Sequence, residues 1–362
     1  MPFTFQVAIF TELDQTSLYG IETRGCAAVT GGVMVAQANG MDVIQHAIEE
    51  TGSDVARLRI GFVNVYFVGP PAISHVDTGA APWVLVDAGL AMGAARILDA
   101  AAARFGETSR PAAIVLTHAH FDHVGALEAL LHVWDVPVYA HTLELPFLTG
   151  RSDYPPPDPT LGTGLAPRLW PQMPERGIDL ADRVKPLPGN RAIPGMPGWR
   201  WLHTPGHAPG HVSYYRESSR VLLAGDALTT TRQESMFSVA TQHQELHGPP
   251  AYFTIDWERA RRSVVALAGL QPAVIACGHG EPLTGPSVAR ELTALAREFD
   301  RRERPKRGRY VHQPVAIGDD GVVTLRPSAR SGGVRWGTLS GVAAGAFAAT
   351  WLYRRFGRKR SE

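Results

Sequence analysis

Residues 117–123 combine three histidines with one aspartate in the order Thr-His-Ala-His-Phe-Asp-His. The preceding residues 112–116 form a short apolar run that predicts a buried strand, and residues 124–131 have the pattern of a helix. The polar stretch is therefore expected at a turn between a strand and a helix, where several side chains can converge. A loop rich in histidine by coincidence would not need this strand and helix on either side of it.

Two directions are available to the side chains of this stretch. Residues two apart on an extended segment share a face, so His118 and His120 are expected to point the same way. The turn after them lets Asp122 and His123 face a second, adjacent point. Neutral imidazoles together with a carboxylate suit zinc, with iron and manganese as harder alternatives.

Three further segments place a polar residue beside glycine at the end of a predicted strand. Their polar residues are His207, Asp226 and His279. A neighbouring glycine lets the backbone pass close to a metal ion without a side chain between them. The candidate metal ligands are therefore His118, His120, Asp122, His123, His207, Asp226 and His279. This number of ligands suits two metal ions with open positions and one bridging carboxylate.

The order of these motifs resembles that of the metallo-β-lactamase superfamily. Five motifs follow one another in the family's order: Val86–Gly89, the stretch 117–123, His207, Asp226 and His279. The resemblance covers roughly residues 58–285 and implies the α+β class, as an αββα four-layer sandwich. In that fold two facing mixed β-sheets are flanked by helices, and a dinuclear metal site lies between the sheets. Polar residues at the ends of predicted strands agree with two sheets packed face to face.

The resemblance also implies how the ligands divide between two divalent metal ions, with Zn²⁺ expected and iron or manganese as alternatives. The first ligand set comprises His118, His120 and His207. The second ligand set comprises Asp122, His123 and His279, and Asp226 would bridge the two ions. Asp87 would lie behind the ligands and fix one imidazole, as metal-bound histidines require. His211 follows the third motif and is expected either in a similar supporting position or in an ordinary packing role.

The run Thr204–His211, Thr-Pro-Gly-His-Ala-Pro-Gly-His, is similar to that of glyoxalase II-like thioesterases of the superfamily. This branch implies a dinuclear hydrolase that cleaves a small ester, thioester or lactone by attack of a metal-bridging hydroxide. Asp122 would orient the attacking water and pass a proton to the leaving group. The glutathione-binding basic and tyrosine residues of glyoxalase II itself are not recognisable towards the C-terminus. The substrate therefore stays open.

Two alternatives to a thioesterase remain. The first is a hydrolase specific for N-acyl lactones. The second is a di-iron protein of the same fold that handles O₂ or NO, although Ala119 stands where flavodiiron oxygen reductases carry a glutamate ligand. Tyr252 is a candidate residue of the substrate pocket, with packing as its alternative role.

The composition of the chain indicates which partner and which cellular location to expect for such an enzyme. The chain of 362 residues is 44% hydrophobic and 19% charged, with a net charge of +1, which is typical of soluble globular enzymes. The near-zero charge gives no electrostatic case for nucleic acid, so a small-molecule substrate is the expected partner. Two cysteines, Cys26 and Cys277, form no disulfide framework, and the N-terminus lacks the pattern of a signal peptide. These features predict a cytoplasmic protein and leave its oligomeric state open.

The chain is expected to divide into four parts. Residues 1–40 show little periodicity and are predicted to be an N-terminal extension that need not be ordered. The catalytic domain is predicted over residues 41–305, and within it the Pro- and Gly-rich residues 146–200 would form a lid or wall over the site. A C-terminal hairpin would follow at 306–331, and an apolar then basic tail at 332–362.

The apolar part of this tail, residues 336–353, carries no charge, and a basic segment follows it. Gly337, Gly341 and Gly345 recur at every fourth position, the spacing that lets membrane helices pack closely. The segment is dominated by alanine and glycine, however, and a membrane span usually needs about 20 strongly apolar residues. Membrane association through this segment and a soluble, poorly ordered tail therefore both remain open.

Two local predictions concern the beginning of the catalytic domain. Residues 42–50 are expected to form a short helix that ends near Gly52. Residues 60–68 are expected to form a single strand that is closed by Gly69 and Pro70.

Overall fold

The computed structural model describes most of the chain between Ile48 and Thr324. The described residues are 48–52, 54–72, 82–158, 160–161 and 178–324. The predicted N-terminal extension (1–40) and the predicted tail (332–362) lie outside the described residues. The same holds for residues 325–331 of the predicted hairpin.

Among the described residues, the first sheet has seven strands whose spatial order follows the sequence. They are β1 (Ile48–Gly52), β2 (Val55–Ile60), β3 (Val63–Val68), β4 (Val84–Val86), β5 (Ala113–Val115), β6 (Val138–Ala140) and β7 (Val184–Pro186). Neighbours from β1 to β4 are antiparallel, whereas β4 to β7 run parallel to one another. The parallel strands β4 and β5 consist entirely of buried apolar residues, as expected for strands covered on both faces.

The part of the chain that the structure describes also forms a five-stranded second sheet in the order β12-β11-β10-β9-β8. Its strands are β8 (Trp199–His203), β9 (Val212–Arg216), β10 (Val221–Gly225), β11 (Val274–Cys277) and β12 (Leu283–Thr284). The strands β10 and β11 are parallel, and the other neighbours are antiparallel. Part of the predicted C-terminal hairpin is present as β13 (Ala316–Gly318) paired with β14 (Gly321–Thr324).

Helices connect the strands and cover the sheets. Their bounds are α1 (Ala94–Phe105), α2 (Phe121–Val124), α3 (Leu127–Trp134), α4 (Leu145–Leu148), α5 (Met236–Thr241), α6 (Trp257–Gly269) and α7 (Val288–Arg302). Gly106 ends α1 with a φ of 98°, and the Asp256 side chain accepts a hydrogen bond from the Arg259 amide at the start of α6. A glycine after the last helical residue and an aspartate before the first are the residues that typically end and begin helices.

Three clusters of buried apolar side chains define the layers. The inter-sheet cluster, which includes Val86, Val115, Tyr214 and Leu223, lies between the two sheets. A second cluster packs α1 and α3 onto the outer face of the first sheet. A third packs α6 and α7 onto the outer face of the second sheet. This order of helix, sheet, sheet and helix confirms the predicted αββα sandwich.

The predicted helix over residues 42–50 is wrong at its described end. Ile48–Gly52 is the edge strand β1, which pairs antiparallel with β2. The carboxylates of Glu49 and Glu50 pair with two buried arginines, one on β2 and one on α1. Contacts with distant elements therefore decide the conformation, and the local pattern does not encode them.

The predicted strand over residues 60–68 is divided between two strands. The chain turns at Gly61 and Phe62, so that Ile60 pairs with Val63 across a two-residue hairpin. Gly61 has a φ of 67°, a left-handed conformation that glycine adopts at low cost and that such hairpins favour. Because the residues on both sides of Gly61 are apolar, the sequence pattern resembles that of one continuous strand.

The Pro- and Gly-rich insert (146–200) is more regular than predicted. It includes most of α4 and the whole of β7, the edge strand of the first sheet. Near its start, the ring centroid of Tyr154 lies 4.3 Å from that of His120, so this part forms a wall of the candidate site. Residues 159 and 162–177 are not described, and a lid role for them stays a prediction.

No helix within the described ranges has both the length and the hydrophobicity that a membrane crossing requires. The apolar segment 336–353 lies outside those ranges. Membrane association through it therefore stays a prediction.

Shortening a side chain in the inter-sheet cluster should destabilise the fold more than a comparable change on the surface. Leu223 is 1% exposed, and Leu223→Ala should lower the free energy of unfolding by about 2–5 kcal/mol because it leaves a cavity. Val133 is 59% exposed, and Val133→Ala should change that free energy by less than about 0.5 kcal/mol. Urea unfolding followed by circular dichroism measures both variants. Equal effects would contradict the assignment of layers.

Candidate metal centre

The candidate ligands lie where strands of both sheets end. The parallel strands β4 and β5 end at one edge of the first sheet, and β10 and β11 end at one edge of the second. Several hydrogen bonds join the sheets beneath the site, and two of them lie at the start of the 117–123 stretch. The Val212 amide donates to the Thr117 carbonyl at 2.9 Å, and the Tyr214 hydroxyl donates to the Leu116 carbonyl at 2.7 Å. The fold therefore brings the two edges together, as is typical of ligand sites at the carboxyl ends of strands.

The histidines of the first ligand set converge. His118 and His120 follow β5, and His207 comes from the loop between β8 and β9. The ring centroid of His118 lies 4.6 Å from that of His120 and 4.9 Å from that of His207. Nδ1 of His120 and Nε2 of His207 are 2.9 Å apart. One ring nitrogen from each residue lies within 4.8 Å of the others, and all three residues are buried.

The second ligand set forms a neighbouring group. Asp122 and His123 lie in the single turn of α2, and His279 follows β11. Oδ2 of Asp122 lies 3.5 Å from Nε2 of His279 and 4.0 Å from Nε2 of His123. These residues are also buried, with one ligand atom from each within 4.8 Å of the others.

Asp226, at the end of β10, lies between the two sets. Its Oδ2 is 3.1 Å from Nε2 of His279 and 3.5 Å from Nε2 of His207. Its Oδ1 is 3.6 Å from Nε2 of His123. A glycine is required nearby, because a Cβ at Gly278 would lie 2.2 Å from Oδ1 of Asp226. One carboxylate thus contacts both groups.

Several buried atoms of this cluster have no hydrogen-bond partner among the described residues. They are Nε2 of His118, Nε2 of His123, Nδ1 of His207 and Oδ1 of Asp226. A buried polar atom without a partner costs about 1–3 kcal/mol, so the bare side chains are an unfavourable arrangement. Imidazole and carboxylate lone pairs in one buried cluster are what a divalent cation binds. The residues present therefore fit a metal centre.

In three candidate ligands, the ring nitrogen Nδ1 donates a hydrogen bond to an oxygen atom. Nδ1 of His118 donates to Oγ1 of Thr117 at 3.0 Å, and Nδ1 of His279 donates to a carbonyl in the β2–β3 turn at 2.9 Å. Nδ1 of His123 donates to Oδ2 of Asp87 at 2.8 Å. Each bond keeps the proton on Nδ1 and leaves the Nε2 lone pair available, which is the usual state of a metal-binding histidine.

Asp87 and His211 support the cluster from behind. The two oxygens of Asp87 accept the amide and hydroxyl of Thr117 at 2.7 and 2.8 Å, in addition to the bond from the ligand imidazole. Nε2 of His211 accepts the Asp226 amide at 2.9 Å, and its Nδ1 donates to Oγ1 of Thr204 at 2.9 Å. Of the two roles left open for His211, the structure therefore shows the supporting contact.

Burial sets the protonation of the imidazoles in the first ligand set. It lowers the pKa of His120 to about 3 and holds the pKa values of His118 and His207 well below their usual range. Burial alone would raise the pKa of Asp226, but neighbouring imidazoles, chiefly His279, hold that pKa well below its usual range. Neutral imidazoles and an ionised carboxylate are the states that bind metal.

Two buried polar residues that sequence reasoning missed hold the ligand loops. Asn64 donates to two backbone carbonyls of the loop that carries His279, at 3.0 and 2.7 Å. The carboxylate of Glu144 accepts the amide of Ala119 at 3.0 Å, in the loop of the first two histidines. Both residues are fully buried within apolar runs of sequence. A polar residue inside such a run is the signal that could have identified them.

The fold and the site together define a metal-binding αββα protein. The sequence model of the metallo-beta-lactamase superfamily matches residues 58–279. The chain belongs to that superfamily.

Individual relatives narrow the class further. The probable metallo-hydrolase YflN of Bacillus subtilis (strain 168) is 47% identical over 68% of this chain and 91% of its own length. The hydroxyacylglutathione hydrolase GloC of Haemophilus influenzae is 29% identical over 32% of this chain and 49% of its own length. Among solved structures, TTHA1623 in a di-iron-bound form is 29% identical over 67% of this chain and 96% of its own chain, with a TM-score of 0.41. The first relative supports a metal-dependent hydrolase, and none of these likenesses fixes the metal or the substrate.

The buried carboxyl group of Glu144 predicts a pH dependence of stability. Burial raises its pKa from 4.5 to about 7, although the hydroxyl of Tyr154 and the amides of Gly210 and Ala119 oppose that rise. Between these two values the folded chain binds a proton that the unfolded chain has released. The free energy of unfolding should therefore fall as pH rises through this window, by at most about 3 kcal/mol.

Urea unfolding of the metal-free protein and of its Glu144→Gln variant, at about pH 5 and about pH 8, measures this effect. Titration of the ligand histidines is common to both proteins and cancels in their difference. The free energy of unfolding of the parent chain minus that of the variant should be more positive at the lower pH. A difference that is the same at both pH values would contradict the prediction.

Proposed function

We propose that this chain is a dinuclear metal-dependent hydrolase that cleaves a small ester, thioester or lactone. The observation that carries the proposal is the position of Asp226 between the two ligand sets, within 3.1–3.6 Å of imidazole nitrogens on both sides. A carboxylate so placed can bridge two cations. The likeness to a probable metallo-hydrolase supports the same reaction class.

The first ligand set would hold one ion, the second ligand set the other, and Asp226 would bridge them. Three of the buried atoms without a partner, Nε2 of His118, Nε2 of His123 and Oδ1 of Asp226, belong to the first set, the second set and the bridge, which supports this division. Divalent ions in such a site, with zinc expected and iron or manganese as alternatives, lower the pKa of a coordinated water to about 7 and polarise a carbonyl oxygen. Asp87 and His211 would keep His123 and Asp226 in the required orientation.

Asp122 is the residue that we assign to proton transfer. Burial raises the pKa of this carboxyl group, which makes it a better proton acceptor than an exposed aspartate. Its Oδ2 lies 3.5 Å from Nε2 of His279, at the edge of the cluster. Asp122 would orient the attacking water, accept its proton and pass that proton to the leaving group.

Aromatic side chains border the candidate centre. The ring centroid of Phe253 lies 4.9 Å from that of His120, and Phe62 stacks on His279 at 5.8 Å. Tyr252, the candidate pocket residue, is buried and lies 4.9 Å from Phe253. These apolar walls would exclude water from the reacting groups and would accept an apolar acyl group or ring. The proposed partner is thus a small molecule, with no nucleic acid involved.

A substrate panel tests the reaction class. The protein is loaded separately with Zn²⁺, Mn²⁺ or Fe²⁺, and hydrolysis of thioester, simple ester, N-acyl lactone, phosphodiester and β-lactam substrates is measured beside metal content. We expect about two ions per chain and hydrolysis confined to the first three substrates. Activity on lactones alone would identify a lactonase. Bound iron with a redox-active optical spectrum and no hydrolysis would contradict the proposal and favour an O₂- or NO-handling protein.

Replacing Asp122 by Ala should reduce turnover far more than stability. Loss of the proton-transfer group should lower kcat by about 10²–10⁴-fold at saturating metal. Asp99 is exposed on α1, and Asp99→Ala is the matched control that should leave kcat unchanged. Metal content and the urea midpoint are measured for both variants. An Asp122→Ala enzyme that keeps full activity with its metals in place would show that the assigned role is wrong.

A further inference from the structure

A buried carboxylate outside both ligand sets lies between the two loops that carry the first set. Oε2 of Glu144 accepts the amide of Ala119, the residue that separates the two histidines following β5, at 3.0 Å. Oε1 of Glu144 accepts the amide of Gly210 at 2.6 Å, in the loop that contains His207. One side chain therefore connects both segments of the first ligand set.

Tyr154 extends this connection to a ligand itself. Its hydroxyl donates to Oε2 of Glu144, and its ring centroid lies 4.3 Å from that of His120. The amide of Ala119 also lies 3.2 Å from the Tyr154 hydroxyl oxygen. Glu144 thus fixes the backbone next to His120 and, through Tyr154, the packing against its ring.

The loop after His207 approaches this carboxylate closely at Gly210. A Cβ at Gly210 would lie 2.9 Å from both Cγ and Oε1 of Glu144 and 3.0 Å from its amide nitrogen. Contacts that short are not tolerated, so the close approach of the loop to Glu144 requires glycine at this position.

When Glu144 is ionised, its buried charge makes the three donors necessary. Glu144 is 0% exposed, and within the described part of the chain its partners are two backbone amides and one hydroxyl. A buried carboxylate without a counter-charge is strongly unfavourable unless hydrogen bonds replace its hydration. Moving either loop away would leave part of that charge without a partner. Both loops are therefore restrained by the same group.

We propose that Glu144 is the positioning residue of the first ligand set, and that its carboxylate fixes the separation of the 118–120 loop from the His207 loop and so raises the affinity of that set for metal. This inference rests on the proposed metal-binding function. The second ligand set is held by other groups, because Asn64 bonds to the His279 loop and Asp87 bonds to His123. The effect of Glu144 should therefore be confined to one of the two ions.

The test measures the Co²⁺ affinity of each ligand set separately, by competition with a chromophoric chelator. His279→Ala removes a ligand of the second set, and His207→Ala removes one of the first, so each background retains one complete set. Glu144→Gln keeps the shape of the side chain but turns an NH₂ group towards an amide donor.

In the His279→Ala background, Glu144→Gln should weaken Co²⁺ binding by about 10–100-fold, the range for residues that orient metal ligands. In the His207→Ala background it should change the affinity by less than about twofold, because the described residues of the second ligand set make no hydrogen bond with Glu144. Equal weakening in both backgrounds would reveal general loosening of the fold and overturn the proposal. No weakening in either would overturn it as well.

Glu303→Gln is the matched control, because Glu303 accepts a backbone amide, that of Gly248, at 3.1 Å away from the ligand loops. It should leave both affinities unchanged. If neither single-set background binds Co²⁺ before Glu144 is altered, the ligand sets themselves are wrong. That result overturns the proposed function together with this inference, and it is distinct from binding that is indifferent to Glu144.

Tyr154→Phe decides the question if Glu144→Gln does not fold. This variant keeps the ring against His120 and removes only the hydroxyl that donates to Glu144. It should weaken Co²⁺ binding by about 2–10-fold in the His279→Ala background, the equivalent of one hydrogen bond. It should have no effect in the His207→Ala background. Equal changes in both backgrounds, or none in either, overturn the proposal.

Discussion

The buried carboxylate of Asp226 is the group on which the rest of the structure depends. Its oxygens lie within 3.1–3.6 Å of nitrogens on His123, His207 and His279, which arrive from three separate segments. Asp226 is 2% exposed, and a buried carboxylate needs either compensating positive charge or hydrogen bonds that replace its hydration. Imidazoles supply that charge only when they bind protons, whereas divalent cations supply it at any pH that leaves the ligands deprotonated. Oδ1 of Asp226 has no hydrogen-bond partner in the described part of the chain, and such a cation is the simplest explanation.

Only the complete sandwich can assemble this arrangement. The ligands follow strands of two different sheets, and the inter-sheet cluster together with the bond from Val212 to Thr117 fixes how those sheets meet. Around the ligands, Asp87, Asn64 and Glu144 each bond to a loop or an imidazole of the centre. Hydrolytic chemistry of the proposed kind needs ligands held by such a surrounding layer, because small displacements of a metal ligand cost activity.

The sequence indicated which residues the fold gathers into the candidate centre far better than it indicated the residues that support them. His118, His207 and the other candidate ligands stand beside strands and glycines, which are local signals, and the fold gathers all of them. The supports depend on contacts between residues that are far apart in the chain. Glu144 bonds to residues 25 and 66 positions away, and no local pattern reports such pairings. The strand Ile48–Gly52 was predicted as part of a helix for the same reason, since its conformation depends on pairing with β2.

Anomalous X-ray diffraction from metal-loaded crystals, collected at the absorption edge of the bound metal, tests the central claim most directly. Two peaks are expected about 3.5–4 Å apart, the usual spacing of paired catalytic metals, with the Asp226 carboxylate between them. One peak should lie beside His118, His120 and His207, and the other beside Asp122, His123 and His279. A single peak at full occupancy of added metal, or two peaks that do not share Asp226, would contradict a dinuclear centre bridged by Asp226.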